Sequence, residues 1–281
     1  MTKDRQRQLA ERFRLLHRAP PTLLLPNAWD AMSARVFEAA GFGAVGTTSS
    51  GLSWALGYAD GEDAPWSEVV AATERIVRAV RVPVSADIEA GYGTSPGEVA
   101  KSVDDILRAG AVGINLEDSR AEAGHPMRPI DEAADRIRAA RDAAKAAGIP
   151  LVINARIDLY LAQAGDPATR FAETVRRAQA YLAAGADCLF PFALTDTKLL
   201  AELAAAVKAP LNAVGRAGGP SLAEFERAGV ARVSTAGGPA LAALSLTRKV
   251  AEELRATGRF DMLKSAVTRA EVQALFAPRP E

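Results

Sequence analysis

The sequence predicts an α/β protein folded as a (β/α)8 barrel, the TIM-barrel architecture, on three observations. Eight short β-rich runs recur along the chain, each followed by a turn and an Ala-rich segment of helical period. The runs are continuously apolar, as parallel strands covered on both faces must be. The phrase Ala-Gly precedes strand after strand, at Ala40-Gly41, Ala109-Gly110, Ala184-Gly185 and Ala228-Gly229, where a left-handed glycine ends a helix and releases the chain into the next strand.

The elements follow in order. Before Thr22 lies an Arg-rich amphipathic stretch whose apolar side carries Leu9, Phe13, Leu15 and Leu16, read as a capping helix with His17 on its surface. The eight strands are expected at 22–26, 44–48, 82–88, 112–117, 150–156, 187–192, 210–214 and 231–235. Helix starts are signalled by Ser67 before Glu68, Ser95 before Pro96, Asp131 before Glu132 and Ser221 before Leu222. Helix continues through 241–276, so residues 1–281 read as one barrel domain with 240–281 as a C-terminal helical extension suited to subunit contacts. Eight units over about 220 residues favour a closed barrel over an open doubly wound sheet. A dinucleotide fold would place Gly-x-Gly-x-x-Gly after its first strand, where this chain has Leu25-Pro26-Asn27-Ala28-Trp29-Asp30.

Composition narrows the function. With 281 residues, 49% hydrophobic, 24% charged and a formal net charge of +0, the chain has no basic field for nucleic acid and no membrane span. A charged N-terminus without a signal-peptide pattern gives a cytoplasmic expectation. The single Cys188 excludes an intrachain disulfide and a cysteine-based zinc cage. The lysines fall in predicted helices or on the opposite rim, which argues against a Schiff-base aldolase, and His17 and His125 offer no nucleophilic triad. A small-molecule substrate remains.

Its chemistry is written at the C-terminal ends of the strands, which share one mouth in such a barrel. Those positions hold Asn27, Asp30, residues 47–50, Asp60, Asp87, Glu89, Glu117, Asp118, Arg156, Asp158, Asn212 and the loop 215–219. Several carboxylates in one small space repel unless a cation or shared proton relieves them. Oxygen ligands without nearby His or Cys suit Mg²⁺ or Mn²⁺, with one or two of Asp87, Glu89 and Glu117 bound directly and the rest through water. Asp118 and Asp158 read individually as helix caps or solvated charges. Arg156 either pairs with Glu117 or grips a substrate carboxylate or phosphonate in bidentate fashion.

Across roughly residues 20–250 the chain resembles the isocitrate lyase and phosphoenolpyruvate mutase superfamily. The resemblance rests on Pro26-Asn27-Ala28-Trp29-Asp30 with Ser33-Ala34-Arg35, Ser49-Ser50-Gly51-Leu52-Ser53 and Leu56-Gly57-Tyr58-Ala59-Asp60. It continues through Asp87-Ile88-Glu89-Ala90-Gly91-Tyr92-Gly93, Asn115-Leu116-Glu117-Asp118 and Asn154-Ala155-Arg156. It implies Asp87, Glu89 and Glu117 as Mg²⁺ ligands, with Glu89 where Asp is commoner, and Asp60 as the loop aspartate near the metal. It further implies Arg156 with Ser49, Ser50 and Gly51 around the substrate carboxylate, and a homotetramer with a swapped C-terminal helix; Trp29 and Asn212, at the same mouth, are expected to bind substrate as well.

The implied chemistry makes or breaks a bond to C3 of a 2-oxo acid through a stabilised enolate. Isocitrate and methylisocitrate lyases carry a Lys-Lys/Arg-Cys-Gly-His lid whose cysteine is the general acid. Here the lid reads Arg120-Ala121-Glu122-Ala123-Gly124-His125-Pro126-Met127, without it. The expectation is a Mg²⁺-dependent lyase or decarboxylase of a small 2-oxo or 2-hydroxy carboxylate, with His125 delivering a proton. The alternatives are a phosphonomutase or phosphonopyruvate hydrolase relative and a non-catalytic carboxylate-binding barrel.

Overall fold

The computed structural model describes residues 1–18, 20–120, 126–264 and 266–277. Helix α1 (Lys3–Leu16) precedes strands β1 (Leu23–Leu25) and β2 (Asn27–Ala28), which Pro26 separates. There follow α2 (Ala31–Ala39), β3 (Val45–Thr47), α3 (Ser49–Leu56), α4 (Trp66–Ala79), β4 (Val84–Asp87), α5 (Pro96–Ala109), β5 (Gly113–Glu117) and α6 (Ile130–Ala147). The second half runs β6 (Val152–Ile157), α7 (Pro167–Ala184), β7 (Cys188–Pro191), α8 (Thr197–Val207), β8 (Asn212–Val214), α9 (Leu222–Arg227), β9 (Arg232–Ser234) and α10 (Gly238–Thr257). A 3₁₀ turn (Asp261–Leu263) and α11 (Arg269–Phe276) end it.

All strand pairs are parallel, in the orders β1-β9-β8 and β2-β3-β4-β5-β6-β7. Two joints close these ladders into one barrel. Across Pro26, β1 and β2 form a single stave that pairs with β9 on one side and β3 on the other, and a parallel bridge between Leu189 and Leu211 joins β7 to β8. The eight staves fall within the eight predicted runs, except that β2 runs past Pro26 to Ala28 and β6 past Arg156 to Ile157. Gly41, Gly110, Gly185 and Gly229 all have positive φ, between 75° and 108°, as the repeated Ala-Gly stop requires.

Four local expectations need correction. Ser95 and Ser221 make full capping boxes, but Ser67 and Asp131 lie inside their helices. Prolines Pro65 and Pro129, in extended conformation, set those entries instead, because a proline fixes its own φ without a side-chain cap. Leu15 is 55% exposed, whereas Leu9, Ala10 and Phe13 form the buried face of α1. His17 is buried: its ring meets Phe13 edge-on at 4.7 Å and its Nδ1 lies 2.8 Å from the Phe13 carbonyl.

That helix plugs the N-terminal end of the barrel. Gln6 Nε2 donates to the carbonyls of Leu107 and Ala111, and Arg14 pairs with Asp187 at 3.1 Å. Phe13 occupies the space that glycine leaves at 113: a Cβ there would lie 2.5 Å from its Cε1. At the other terminus α10 buries only Ala240, while Arg35 of α2 ties down α11 through the Leu275 carbonyl at 2.7 Å. Among the described residues no helix is long and apolar enough to cross a membrane.

Candidate active site

Strand register assembles the site. Asp87, Asn115, Asn154 and Cys188 are aligned across β4 to β7, so their side chains leave the sheet on one face. Two residues further on, Glu117 and Arg156 are aligned with Phe190 on that same face. Asn154 Nδ2 donates to Asn115 Oδ1 at 2.8 Å and Arg156 Nη1 lies 2.8 Å from Glu117 Oε2, so these faces point into the barrel.

Asp87 reaches the mouth between two elements. Its amide donates to Thr47 Oγ1 at 2.8 Å, and its Oδ2 accepts the Ser49 amide at 3.2 Å, at the start of α3. Among the described residues its Oδ1 is buried with no partner. A buried orphaned carboxylate oxygen is costly without a cation, proton or water.

Glu89 follows on a turn with φ of 50°. Its carboxylate accepts the Tyr92 hydroxyl and the Glu62 amide, both at 3.0 Å. Burial, then the charges of Asp87, Asp60 and Glu62, push its pKa up to about 8. Glu117 is raised well above the ordinary carboxylate range, by burial first, with Arg156 opposing and Asp158, Asp87 and Glu89 adding to it.

Asp60 sits at the exposed edge of the mouth, hydrogen-bonded to the Ser49 side chain, and is raised by desolvation and by Asp87. Glu62, two residues on, accepts the Tyr92 amide at 2.8 Å. Five carboxylates thus crowd one opening beside Arg156. Among the described residues no group of three or more His, Cys, Asp or Glu side chains is placed to hold a metal ion by itself, so an ion here would complete its shell with water or substrate oxygens. The orphaned Asp87 oxygen and the mutual repulsion of Asp87, Glu89 and Glu117 fit Mg²⁺ or Mn²⁺.

Arg156 fulfils the ion-pair reading. Besides Glu117 it contacts Asp158 Oδ1 through Nε at 2.6 Å, and its guanidinium lies 4.0 Å over the Phe192 ring. Although burial disfavours its charge, Glu117, Asp158 and Asp87 hold it firmly cationic. Asp118 and Asp158 are not caps or solvated charges. Asp158 is fully buried and accepts from the Ser119 hydroxyl. Asp118 accepts from Arg177 at 3.0 Å, Tyr181 at 2.7 Å and the Asp158 amide at 2.9 Å, and burial lifts it to about 6. Asp158 thus holds Arg156 directly, and Asp118 holds the Asp158 backbone.

The substrate-side residues divide. Thr48 precedes α3, so Ser49, Ser50 and Gly51 form its first turn, whose amides suit a carboxylate. Gly51 is required sterically, since a Cβ would lie 2.8 Å from Thr48 Cγ2, 2.9 Å from Trp29 Cβ and 3.0 Å from Ala240 Cβ. Half-buried Trp29 therefore backs this turn. Asn212 lies at the start of β8, fully buried, with Oδ1 accepting from the Ser234 hydroxyl and, among the described residues, Nδ2 without a partner. Asn27 is a clamp from β2 to the Thr47 carbonyl and the amides of Thr235 and Ala236, and Asp30 is spent capping α2. His125 lies outside the described residues. Glu62 and Phe192 were not anticipated: Glu62 follows no strand, and Phe192 was only the last residue of an expected strand. Tyr92 was visible only as part of a motif.

A (β/α)8 barrel with an acidic mouth set around one arginine defines the class. The family profile described as Phosphoenolpyruvate phosphomutase matches residues 13–255, and the chain belongs to the phosphoenolpyruvate mutase/isocitrate lyase superfamily. It is 36% identical over 264 residues to the uncharacterized protein Rv1998c of Mycobacterium tuberculosis (strain ATCC 25618 / H37Rv), covering 93% of this chain and 95% of that one. It is 31% identical to 2-methylisocitrate lyase of Bacillus subtilis (strain 168), over 74% of this chain and 67% of the relative. A solved 2,3-dimethylmalate lyase superposes with a TM-score of 0.84 at 26% identity, over 95% of this chain and 94% of that one.

Proposed function

We propose that the protein is a Mg²⁺-dependent (or Mn²⁺-dependent) carbon–carbon lyase that cleaves or decarboxylates a small 2-oxo or 2-hydroxy carboxylate. The observation that carries this reading is the orphaned Asp87 oxygen in a carboxylate cluster that Arg156, with the buried Arg232 also acting on Asp87, only partly neutralises. Asp87, with Glu89 and Glu117 directly or through water, would hold the ion. When bound, that ion supplies Lewis-acid stabilisation of the negative charge developing on a 2-oxo oxygen.

The chain's own residues do the rest. The first turn of α3, backed by Trp29, offers the amides of Ser50 and Gly51 to the substrate carboxylate. Arg156, already oriented by Glu117, Asp158 and Phe192, adds a fixed positive charge without reorganisation on binding. Asn212 offers its unspent Nδ2 from deeper in the barrel. Asp60, hydrogen-bonded to Ser49, guards the entrance, and His125 is assigned proton delivery. The names of the 2-methylisocitrate and 2,3-dimethylmalate lyases support C–C cleavage as the reaction type. The absent lid cysteine argues for a substrate other than isocitrate or methylisocitrate.

The family profile itself favours one second reading, phosphonate chemistry. A single assay separates them: release of pyruvate, glyoxylate or phosphate with Mg²⁺ from oxaloacetate, 2-methylisocitrate, isocitrate, alkylmalates and phosphonopyruvate. Turnover of a carboxylate, lost in Asp87→Asn, is the expected result. Phosphate release from phosphonopyruvate alone would move the protein to the second reading, and binding without any turnover would leave a carboxylate-binding barrel.

A further inference from the structure

Arg136 of α6 is 1% exposed, and although the charges of Glu62 and Glu132 act on it, it closes no ion pair among the described residues. Its Nη2 donates to two backbone carbonyls, Ala90 and, at 2.8 Å, Gly93, while among the described residues Nε and Nη1 are buried without partners. A guanidinium is expensive to bury in this way, so what those two bonds hold matters. They hold the turn that carries Glu89.

That turn is unusually constrained. Glu89, Gly91 and Tyr92 have φ of 50°, 97° and 49°, and two of the three are not glycine, so the conformation persists only where surrounding contacts impose it. The contacts come from three sides. The Gly91 amide donates to the Ile88 carbonyl at 2.7 Å. Tyr92 is engaged by Glu62 at its amide and by Glu89 at its hydroxyl, with Trp66 against its ring at 4.7 Å. Arg136 supplies the third side, from a helix anchored independently in the barrel wall.

We propose that Arg136 is a positioning residue for the cation site: bridging the Ala90 and Gly93 carbonyls, it fixes the 89–93 turn and thereby the Glu89 carboxylate. It touches neither substrate nor ion. The role rests on the cation reading proposed above.

Two readouts test it. In the metal-free protein, hydrogen exchange in Arg136→Met should speed at least tenfold in residues 88–94 while β6 and β7 keep wild-type protection. Mn²⁺ affinity, followed by the paramagnetic resonance of free Mn²⁺, should fall at least tenfold in Arg136→Met and recover in part in Arg136→Lys. If Arg136→Met does not fold, Arg136→Lys carries the comparison, with a smaller loss expected in both readouts. Wild-type Mn²⁺ affinity in a folded Arg136→Met, or exchange faster throughout the barrel rather than at the turn, would overturn the positioning role alone. No Mn²⁺ binding to the wild type would overturn the cation reading and this role together.

Discussion

At the residue scale, Glu89 links charge to pH. Its pKa, pushed up to about 8, lies above the 4.5 of a free glutamate, so the folded metal-free chain keeps a proton that the unfolded chain releases. This carboxylate therefore makes stability fall as pH rises from about 4.5 to 8. A divalent cation binds the deprotonated form, so its affinity should rise between pH 6 and 8, by up to about tenfold per pH unit where one proton is displaced. Calorimetric Mg²⁺ titrations at three pH values check this, and a flat profile would mean that Glu89 is already ionised. Cys188, fully buried in β7 with its thiol pushed up to about 12, takes no part in the proposed chemistry. Cys188→Ala should keep kcat within about twofold and lower stability by roughly 1 kcal/mol for the lost packing, as read by activity and urea melts. A large activity loss in a folded variant would relocate the general acid.

At the element scale, the packing of α1 under the barrel is an exacting contact. In Gly113→Ala the new methyl would press on Phe13 and, at 2.9 Å, on Ser85 Oγ, and overpacking of this kind costs about 1–3 kcal/mol. Urea denaturation should show that loss, and Phe13→Leu should recover part of it; full wild-type stability would mean that α1 gives way freely. The same level explains what could be read beforehand. Strand positions and Ala-Gly stops were legible because each depends on a local pattern: an apolar run, or a left-handed glycine. Asp87, Glu89, Glu117 and Arg156 were legible because strand ends converge in any such barrel. The burial of Asp118 was not, since it depends on Arg177 and Tyr181 of α7, 59 and 63 residues away. His17 was misplaced for a different reason: Phe13, one helical turn earlier, was already read on the apolar side, and a residue at i+4 shares that face.

At the scale of the whole molecule, the C-terminal extension is the least satisfied part. Leu241, Leu244, Leu246, Phe260 and Leu263 are 51–68% exposed along α10 and the segment after it, a concentration of large apolar side chains that suits a protein interface. We propose that it is covered by further copies of this chain in a homotetramer. Light scattering should give four times 29.5 kDa, and Leu244→Glu with Phe260→Glu should lower the mass; a wild-type monomer would refute the assignment. The proposed chemistry stands on a cation held at the barrel mouth by Asp87. Calorimetric titration of Mg²⁺ and Mn²⁺ into wild type and Asp87→Ala measures that binding. One ion should bind per chain in the wild type and none in a variant that keeps its circular dichroism spectrum. Equal affinity in both proteins would rule the site out.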